Sequence, residues 1–535
     1  MRALALLGLL GACHRHPAPP KPAGPASTVL ALHVTDHGQP VAARVLLFGA
    51  DGQALHIGTL DLYDQRQGAT ACEIAPGVLG SWDGLILANG TAEVPVGADT
   101  CDPSPAIPFG AYKVWAWRGI EYELWQGTVD LTAGRGKVEL AIPLERAFTP
   151  QGTLAADLHV HAHASNDSTV PNPQRVIAQV AAGIQVIGLS DHNVNGDLND
   201  EIHALHLDNT VVSVPANELT SDQFHLGIYP VKVERNKERG GSPSDDEIVP
   251  LETEDMFKAA HKFSGSPIIQ VNHPRFRATA LFDYTNWDGV AWPPPFPLSF
   301  DAIEVLAGYS AANLKADRRI DESVRDYYTF LDHGHIYAPL GNSDTHDLNW
   351  VLDGTARNYV FADDPRVKPF DQAGFIAAIR AHRVVATTGP WLDVEVASDQ
   401  ASRATVGPGQ SLVAKTGSVW LDVTVQRAKF VHVDRIRVVV GTPDGPRLVR
   451  SLWVPPTQTQ YHWSGDIKVG DKDTWLVVTA DSDDPMPLEI TGTYQRDRWN
   501  HPGVTPFAIA APILIDADGD GRWKRGDADL PLVMR

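Results

Sequence analysis

Between Asp157 and His346 the chain repeats one pattern, a short apolar run of β-forming residues that ends in His, Asp or Glu. Asp157-Leu158-His159-Val160-His161 opens the series. Alternate side chains of a strand face the same way, so its two imidazoles aim at one point. Ile187-Gly188-Leu189-Ser190 runs into Asp191-His192-Asn193, and Asp167 lies in the loop Ala164-Ser165-Asn166-Asp167-Ser168 before it. The next run ends at Glu218 within Pro215-Ala216-Asn217-Glu218-Leu219-Thr220, with His225 close behind. Ile268-Ile269-Gln270-Val271 leads into Asn272-His273-Pro274-Arg275, and Leu340-Gly341-Asn342-Ser343 into Asp344-Thr345-His346. Any one of these could be a structural histidine on a half-buried strand. Coordinating side chains at successive strand ends, taken as a set, read as a metal cluster.

The same repetition constrains the fold. Helical segments such as Pro173 to Ala182 and Leu314 to Leu331 alternate with the strands, and alternating β and α elements imply a parallel sheet or barrel. In that architecture reactive groups gather at the carboxyl ends of strands. A chain of 535 residues exceeds one core, and at ~150 residues per domain it divides into three or four units. Residues 27–150 show short β-branched and aromatic runs between Gly, Pro and Asp turns, the pattern of an all-β sandwich. Within them, Gly110-Ala111-Tyr112-Lys113-Val114 resembles the closing strand of carboxypeptidase-regulatory-like sandwiches. Residues 151–392 form the α/β part, and β patterns such as Arg435-Ile436-Arg437-Val438-Val439-Val440 return over 393–535.

Neutral imidazoles and ionised carboxylates suit zinc, manganese or iron, and a carboxylate can bridge two cations because each oxygen has lone pairs to donate. Glu218 is the natural bridge. The order and character of these strings resemble the PHP (polymerase and histidinol phosphatase) family, nearest its CehA/McbA-like branch, over roughly Asp157 to Pro390. The resemblance implies an α/β fold, a PHP-type distorted (β/α)7 barrel here flanked by N- and C-terminal all-β sandwiches, holding two or three divalent metals. On these positions it implies that His159, His161, Glu218 and Asp344 hold one metal, and that Glu218, His225 and His273 hold a second. Asp167, His192 and His346 complete a third site, where some relatives have His in place of Asp167. Many relatives hydrolyse phosphoesters with metal-activated water, and the carbaryl hydrolases of this branch cleave a carbamate. The expected substrate is a small-molecule ester, with a phosphoester as first reading and a carbamate or amide ester as its rival. A third reading is a non-catalytic surface module, against which stands the cost of burying unpaired carboxylates and imidazoles.

Three residues near the cluster invite roles. Arg275 either aims its guanidinium at an anionic oxygen beside the metals or forms a salt bridge. Asp191 either orients a ligand histidine by accepting its other ring N–H or caps the following loop. Glu304 ends another strand without a clear metal partner. Farther on, Asp516-Ala517-Asp518-Gly519-Asp520-Gly521, with Asp527 at the twelfth position, resembles an EF-hand-type calcium loop; a solvated acidic turn is the competing reading. Walker A, Gly-x-Ser-x-Gly and His-Glu-x-x-His signatures are absent from the sequence.

The N-terminus bears on location. Met1-Arg2 precedes an apolar run from Ala3 to Leu10 that is too short to span a bilayer. With Leu10-Gly11-Ala12-Cys13 the segment resembles a bacterial lipoprotein signal, which implies acylation of Cys13 and an exported envelope protein held only by its lipid. Residues 14–25, rich in Pro and Ala, then form a tether. In an oxidising compartment Cys72 and Cys101 could pair, or stand as two small core residues. The net charge of -21 argues against nucleic acid as a partner, since that attraction needs clustered Lys and Arg.

Overall fold

The computed structural model describes residues 27–57, 71–98, 107–275, 279–290, 296–308, 319–348, 353–402, 404–492 and 503–533. Strand outweighs helix, 40% against 14%, so sheets carry the architecture. The N-terminal part is two sheets. Thr28–Asp36 pairs in parallel with Gly136–Leu144 and antiparallel with Thr91–Val96, while Ala43–Phe48 pairs with Gly84–Leu87 and Ala111–Trp117. Leu30, Leu32 and Val34 meet Val45, Leu47 and Val114 in the core between them. Ala43–Phe48 is buried along its whole length. Its outer side lies against the rest of the chain, where Ala42, Leu79 and Ile86 pack on Val176 and Val180.

The central part includes β1 (Leu154–Val160), α1 (Asn172–Ala181), β2 (Val186–Leu189), β3 (Val212–Pro215), β4 (Asn217–Thr220), β5 (His225–Tyr229), β6 (Ile268–Val271), β7 (Ala302–Ala307), β8 (Ala338–Asn342), β9 (Arg357–Val360) and β10 (Val384–Thr387), with further helices such as Thr253–Ala260, Arg319–Asp332 and Gln372–Arg380. Helix α1 starts at a proline, which supplies a fixed φ where no N–H is needed, and buries Val176, Ile177, Val180 and Ala181. Strands β1, β2 and β3 are parallel neighbours. Their close approach needs Gly188, since a Cβ there would lie 2.9 Å from Leu158 Cα. A second sheet runs β4-β5-β6-β7-β8, parallel only from β6 onward.

These hydrogen bonds form two sheets and no closed barrel among the described residues. The reason is local. Strand β5 returns antiparallel through a short turn, without a crossover helix, and only Ala216 separates β3 from β4. In the first sheet β1 also pairs antiparallel with β9, and β9 with β10; past that pairing the carboxyl end of β1 runs beside β8 of the second sheet. There the Asn342 side chain accepts the Leu158 N–H at 2.9 Å. Beyond the strand ends Asp344 N–H reaches the His159 carbonyl at 2.9 Å, and His161 N–H reaches that of Thr345 at 3.0 Å.

The first sheet does not stop at residue 392. Strand β10 pairs with Phe507–Ala510, which pairs with Thr474–Asp481, then Arg435–Thr442, then the edge strand Gly445–Trp453. A separate sheet of Trp391–Ala397, Ser418–Gln426 and Gln460–Lys468 covers it through Val394, Leu421 and Val423 against Val438, Leu476 and Val478. Among the described residues no helix is long and apolar enough to cross a membrane. Cys13 and Cys101 lie outside the described residues; Cys72, on the strand Ala71–Ala75, is disulfide-bonded.

One buried cation ties these parts together. Arg175 of α1, wholly buried, donates Nε to the His161 carbonyl at 2.8 Å. Its Nη1 reaches Thr345 Oγ1, the Asp347 carbonyl and Asp353 Oδ1 at 3.2, 3.1 and 2.7 Å. The other Asp353 oxygen takes Arg44 from the N-terminal sandwich at 3.3 Å. Removing one member of such a network strands a buried charge at a cost of about 3–5 kcal/mol. Asp353→Ala is therefore expected to lower stability by that order in chemical denaturation. Asp364→Ala, which breaks an exposed pair with Arg366, is expected to change it by less than about 1 kcal/mol.

Candidate metal centre

The nine residues expected as ligands converge. His159 lies in β1 and His161 just beyond it, His192 follows β2, Glu218 lies in β4, His273 follows β6, and Asp344 and His346 follow β8. His225 begins β5, but β5 runs antiparallel and so brings its first residue to the end where its neighbours finish. Asp167 enters from the loop before α1. Their ligating atoms fall into four overlapping groups, each within 4.8 Å: His161, Asp167, His192 and His346; His159, His161 and Asp344; His159, Glu218 and His273; His192, Glu218 and His225.

Glu218 is the hub. Its Oε1 lies 3.0 Å from His159 Nε2, 3.1 Å from His225 Nδ1 and 3.4 Å from His273 Nε2. Its Oε2 lies 2.8 Å from His192 Nδ1 and 3.5 Å from His161 Nε2. Asp344 Oδ1 stands 3.1 and 3.2 Å from the Nε2 atoms of His159 and His161. Asp167 Oδ2 is 3.0 Å from His192 Nε2 and 3.3 Å from His346 Nε2. The backbone is bent to make this possible: Asn193, His273 and Asp344 all have positive φ, which non-glycine residues adopt only when their surroundings impose it.

The tautomers follow from what holds the far side of each ring. His159 Nδ1 faces Glu304 Oε1 at 3.1 Å, and His346 Nδ1 faces the Asp344 carbonyl at 3.0 Å. Both partners only accept, so both Nδ1 atoms carry a hydrogen and both Nε2 atoms face the cluster, where each offers a lone pair once its second proton is lost. Thr220 donates its hydroxyl to the Glu218 carbonyl, which leaves its oxygen to accept from His192 Nδ1 at 2.6 Å. Ser165 Oγ accepts the His192 backbone N–H and sits 2.8 Å from His161 Nδ1.

This donor set fits divalent cations. His161 Nε2 and Glu218 Oε2 are both buried without a hydrogen-bond partner, although each is surrounded by polar atoms. Lone pairs that crowd together without hydrogens between them repel, and a cation among them turns the same geometry favourable. Protonation states agree. Burial disfavours charge on Glu218 and Asp344, but the surrounding imidazoles outweigh it and hold both well below the usual carboxylate range. Burial, with His346 and His192 beside it, pushes His161 down to about 3 and leaves it neutral. For His159 and His192 the opposing carboxylates outweigh burial and raise the pKa, Asp344 and Glu218 acting on the first and Glu218 and Asp167 on the second.

Two expected roles go to other residues. Asp191 takes neither expected role: its Oδ1 accepts the Ala162 N–H at 2.7 Å, which ties it to the loop after β1 and not to the loop that follows it, and burial raises its pKa to about 6. Arg275 does not present its guanidinium to the cluster. It is anchored by Asp326 at 2.5 Å, Asp283 at 3.1 Å and the Trp287 carbonyl at 3.1 Å, between the Phe282 and Trp287 rings. The orienting work falls to Glu304, which also takes Asn342 Nδ2 at 2.9 Å and the His273 N–H at 2.7 Å. Asn272 donates to Glu218 Oε1 at 2.8 Å and is positioned by Gln270. Glu304 carries the same strand-end signature as the ligands; Asn272 has none beyond standing next to His273.

The acidic loop departs from the calcium pattern. Asp516 uses its carboxylate on the N–H groups of Gly519 and Gly521, Asp518 accepts from Asp520 N–H, and Asp520 pairs with Lys524. Asp527 sits in the exposed turn between Arg522–Arg525 and Ala528–Pro531, because the chain leaves the loop as a hairpin and not a helix. The carboxylate that joins Asp516 and Asp518 is Asp473, from a distant turn. No calcium role is assigned.

Metal binding is linked to protons. With their pKa values raised, His159, His192 and His346 hold protons near neutral pH in the metal-free protein, and a metal must displace them. The free form thus binds more protons than the loaded form, so affinity weakens as pH falls. Calorimetry in two buffers of different ionisation enthalpy is expected to show net proton release on adding zinc, and affinity is expected to drop from about pH 8 to about pH 6. Comparison with protein-family models, with curated proteins and with solved structures returns no match.

Proposed function

We propose that this chain is an exported metal-dependent phosphoesterase of the PHP type, CehA/McbA-like, whose two central sheets act as a distorted barrel and whose Cys13 carries the lipid anchor. The observation that carries the reading is the convergence of six imidazoles and three carboxylates on Glu218 and Asp344. Divalent zinc, manganese or iron held there supplies an acidified water and neutralises charge developing on the ester oxygens.

The protein's own groups explain the rest. Glu304, Thr220 and Ser165 hold the rings of His159, His192 and His161 in register, and Asn272 fixes Glu218. Solvent reaches the cluster from one side: the side chains of His225, His346 and Asp167 are 12%, 14% and 18% exposed, whereas those of His159, His161 and Glu218 are sealed at 0%. A small substrate enters there. With the buried Glu304 carboxylate beside His159 counted, the four carboxylates balance two divalent ions, and a third ion would make the site net positive and favour an anionic ester.

The test is turnover of aryl phosphomonoesters and phosphodiesters by protein loaded with manganese or zinc. Chelation and His161→Ala are expected to abolish it, and Glu304→Gln to lower activity or metal affinity about 10–100-fold. Turnover of aryl carbamates without turnover of phosphates would move the assignment to carbamate hydrolysis. Absence of transition metal from the purified protein would overturn it altogether.

A further inference from the structure

On the far side of Asp353 from Arg175, the N-terminal sandwich, the loop leading into β9 and the C-terminal helix Leu488–Thr491 line a small, partly open cavity of about 20 Å³. Its wall includes Arg44, Trp117, Arg357, Met486 and Ile490. Two of these are buried guanidiniums, Arg44 at 2% and Arg357 at 1% exposure. Arg44 gives Nη2 to Asp353 at 3.3 Å, and its Nη1 has no hydrogen-bond partner. Arg357 gives Nε to the Gly354 carbonyl at 2.8 Å and Nη2 to the Ala182 carbonyl at 2.9 Å. Its Nη1 likewise has no hydrogen-bond partner; the Glu121 carboxylate faces it at ion-pair distance, 3.9 Å, beyond hydrogen-bonding reach. Asp353 makes no hydrogen bond to it; its two oxygens take Arg175 and Arg44.

Buried N–H groups left without acceptors are costly, more so on a charged group. The volume decides what can satisfy them. One water-sized body needs roughly 10–15 Å³ of this measure, so a phosphate or sulfate is too large and a single atom fits. The chemistry decides the rest. A water must also place its own two hydrogens, whereas Asp353 and the Gly354 and Ala182 carbonyls on the wall already take guanidinium N–H groups, and the rest of the lining is Trp117, Ile120, Met486 and Ile490 with Gly119, Thr355 and Thr491. A spherical anion needs only donors. We propose that this cavity is a chloride site, in which Arg44 Nη1 and Arg357 Nη1 grip one halide and thereby join all three parts of the chain.

The experiment uses the full chain and bromide as an anomalous probe. Crystals soaked in sodium bromide are expected to show an anomalous peak between the two guanidiniums; density there with no anomalous signal would establish a water and overturn the site. In solution, replacing gluconate by chloride or bromide at constant ionic strength is expected to raise the Tm by a few degrees, because a ligand that binds only the folded state stabilises it. An unchanged Tm would count against the proposal. The halide dependence is expected to vanish in Arg357→Met; should that variant fail to fold, the bromide map of the unaltered protein decides.

Discussion

Arg175 is the interaction on which the rest depends. Where β1 meets β8 the two central sheets share no regular ladder; two backbone bonds and the side chains of Asn342 and Asp157 join them, and the loops beyond that seam carry His161, Asp344 and His346. The guanidinium fastens both loops at once, through the carbonyls of His161, Thr345 and Asp347, and is itself neutralised by Asp353. Planar, fixed-charge donors suit this task, because one side chain can satisfy several acceptors at set angles. A lysine has the charge but not the fork.

On this frame the cluster resolves an electrostatic conflict. Three carboxylates and six imidazoles packed at hydrogen-bonding distances cannot all be satisfied by one another, because too few hydrogens lie between them. Outward-facing partners assign the tautomers and leave the lone pairs directed inward. Glu304 does this for His159 while gripping the His273 backbone, so one buried carboxylate sets the geometry of two ligands from different sheets.

Much of the site was legible in the sequence, and the reason is physical. Candidate ligands at or just past strand ends announce themselves, because a strand's apolar run is local; His159, His192, His273 and Asp344 carry that mark, whereas Glu218, expected at a strand's end, lies inside β4 after a break at Ala216. Supporting roles depend on partners far away in sequence. Asp191 stands beside a ligand yet bonds a backbone N–H, whereas Glu304 stands far from His159 and holds it. Arg275 follows a ligand but turns toward Asp326. Asp473 joins Asp516 and Asp518 from a turn that no loop motif could indicate. Fold class was legible in the same degree: strands, their alternation and the β-rich flanks could be read, but not the antiparallel return at β5 or the extension of the first sheet past β10, since pairing partners leave no local trace.

That extension has a consequence for how such a chain can be divided. Phe507–Ala510 and Thr474–Asp481 complete the backbone bonding of β10, and Ala508, Ala510 and Ile513 complete the apolar layer on Val385 and Tyr359. The α/β segment is therefore not a module that recombination could move alone. Severed from the C-terminal strands, it would present a raw strand edge and an uncovered apolar face, both invitations to self-association. The two stretches of chain form one sheet, and the unit that folds is the whole of it.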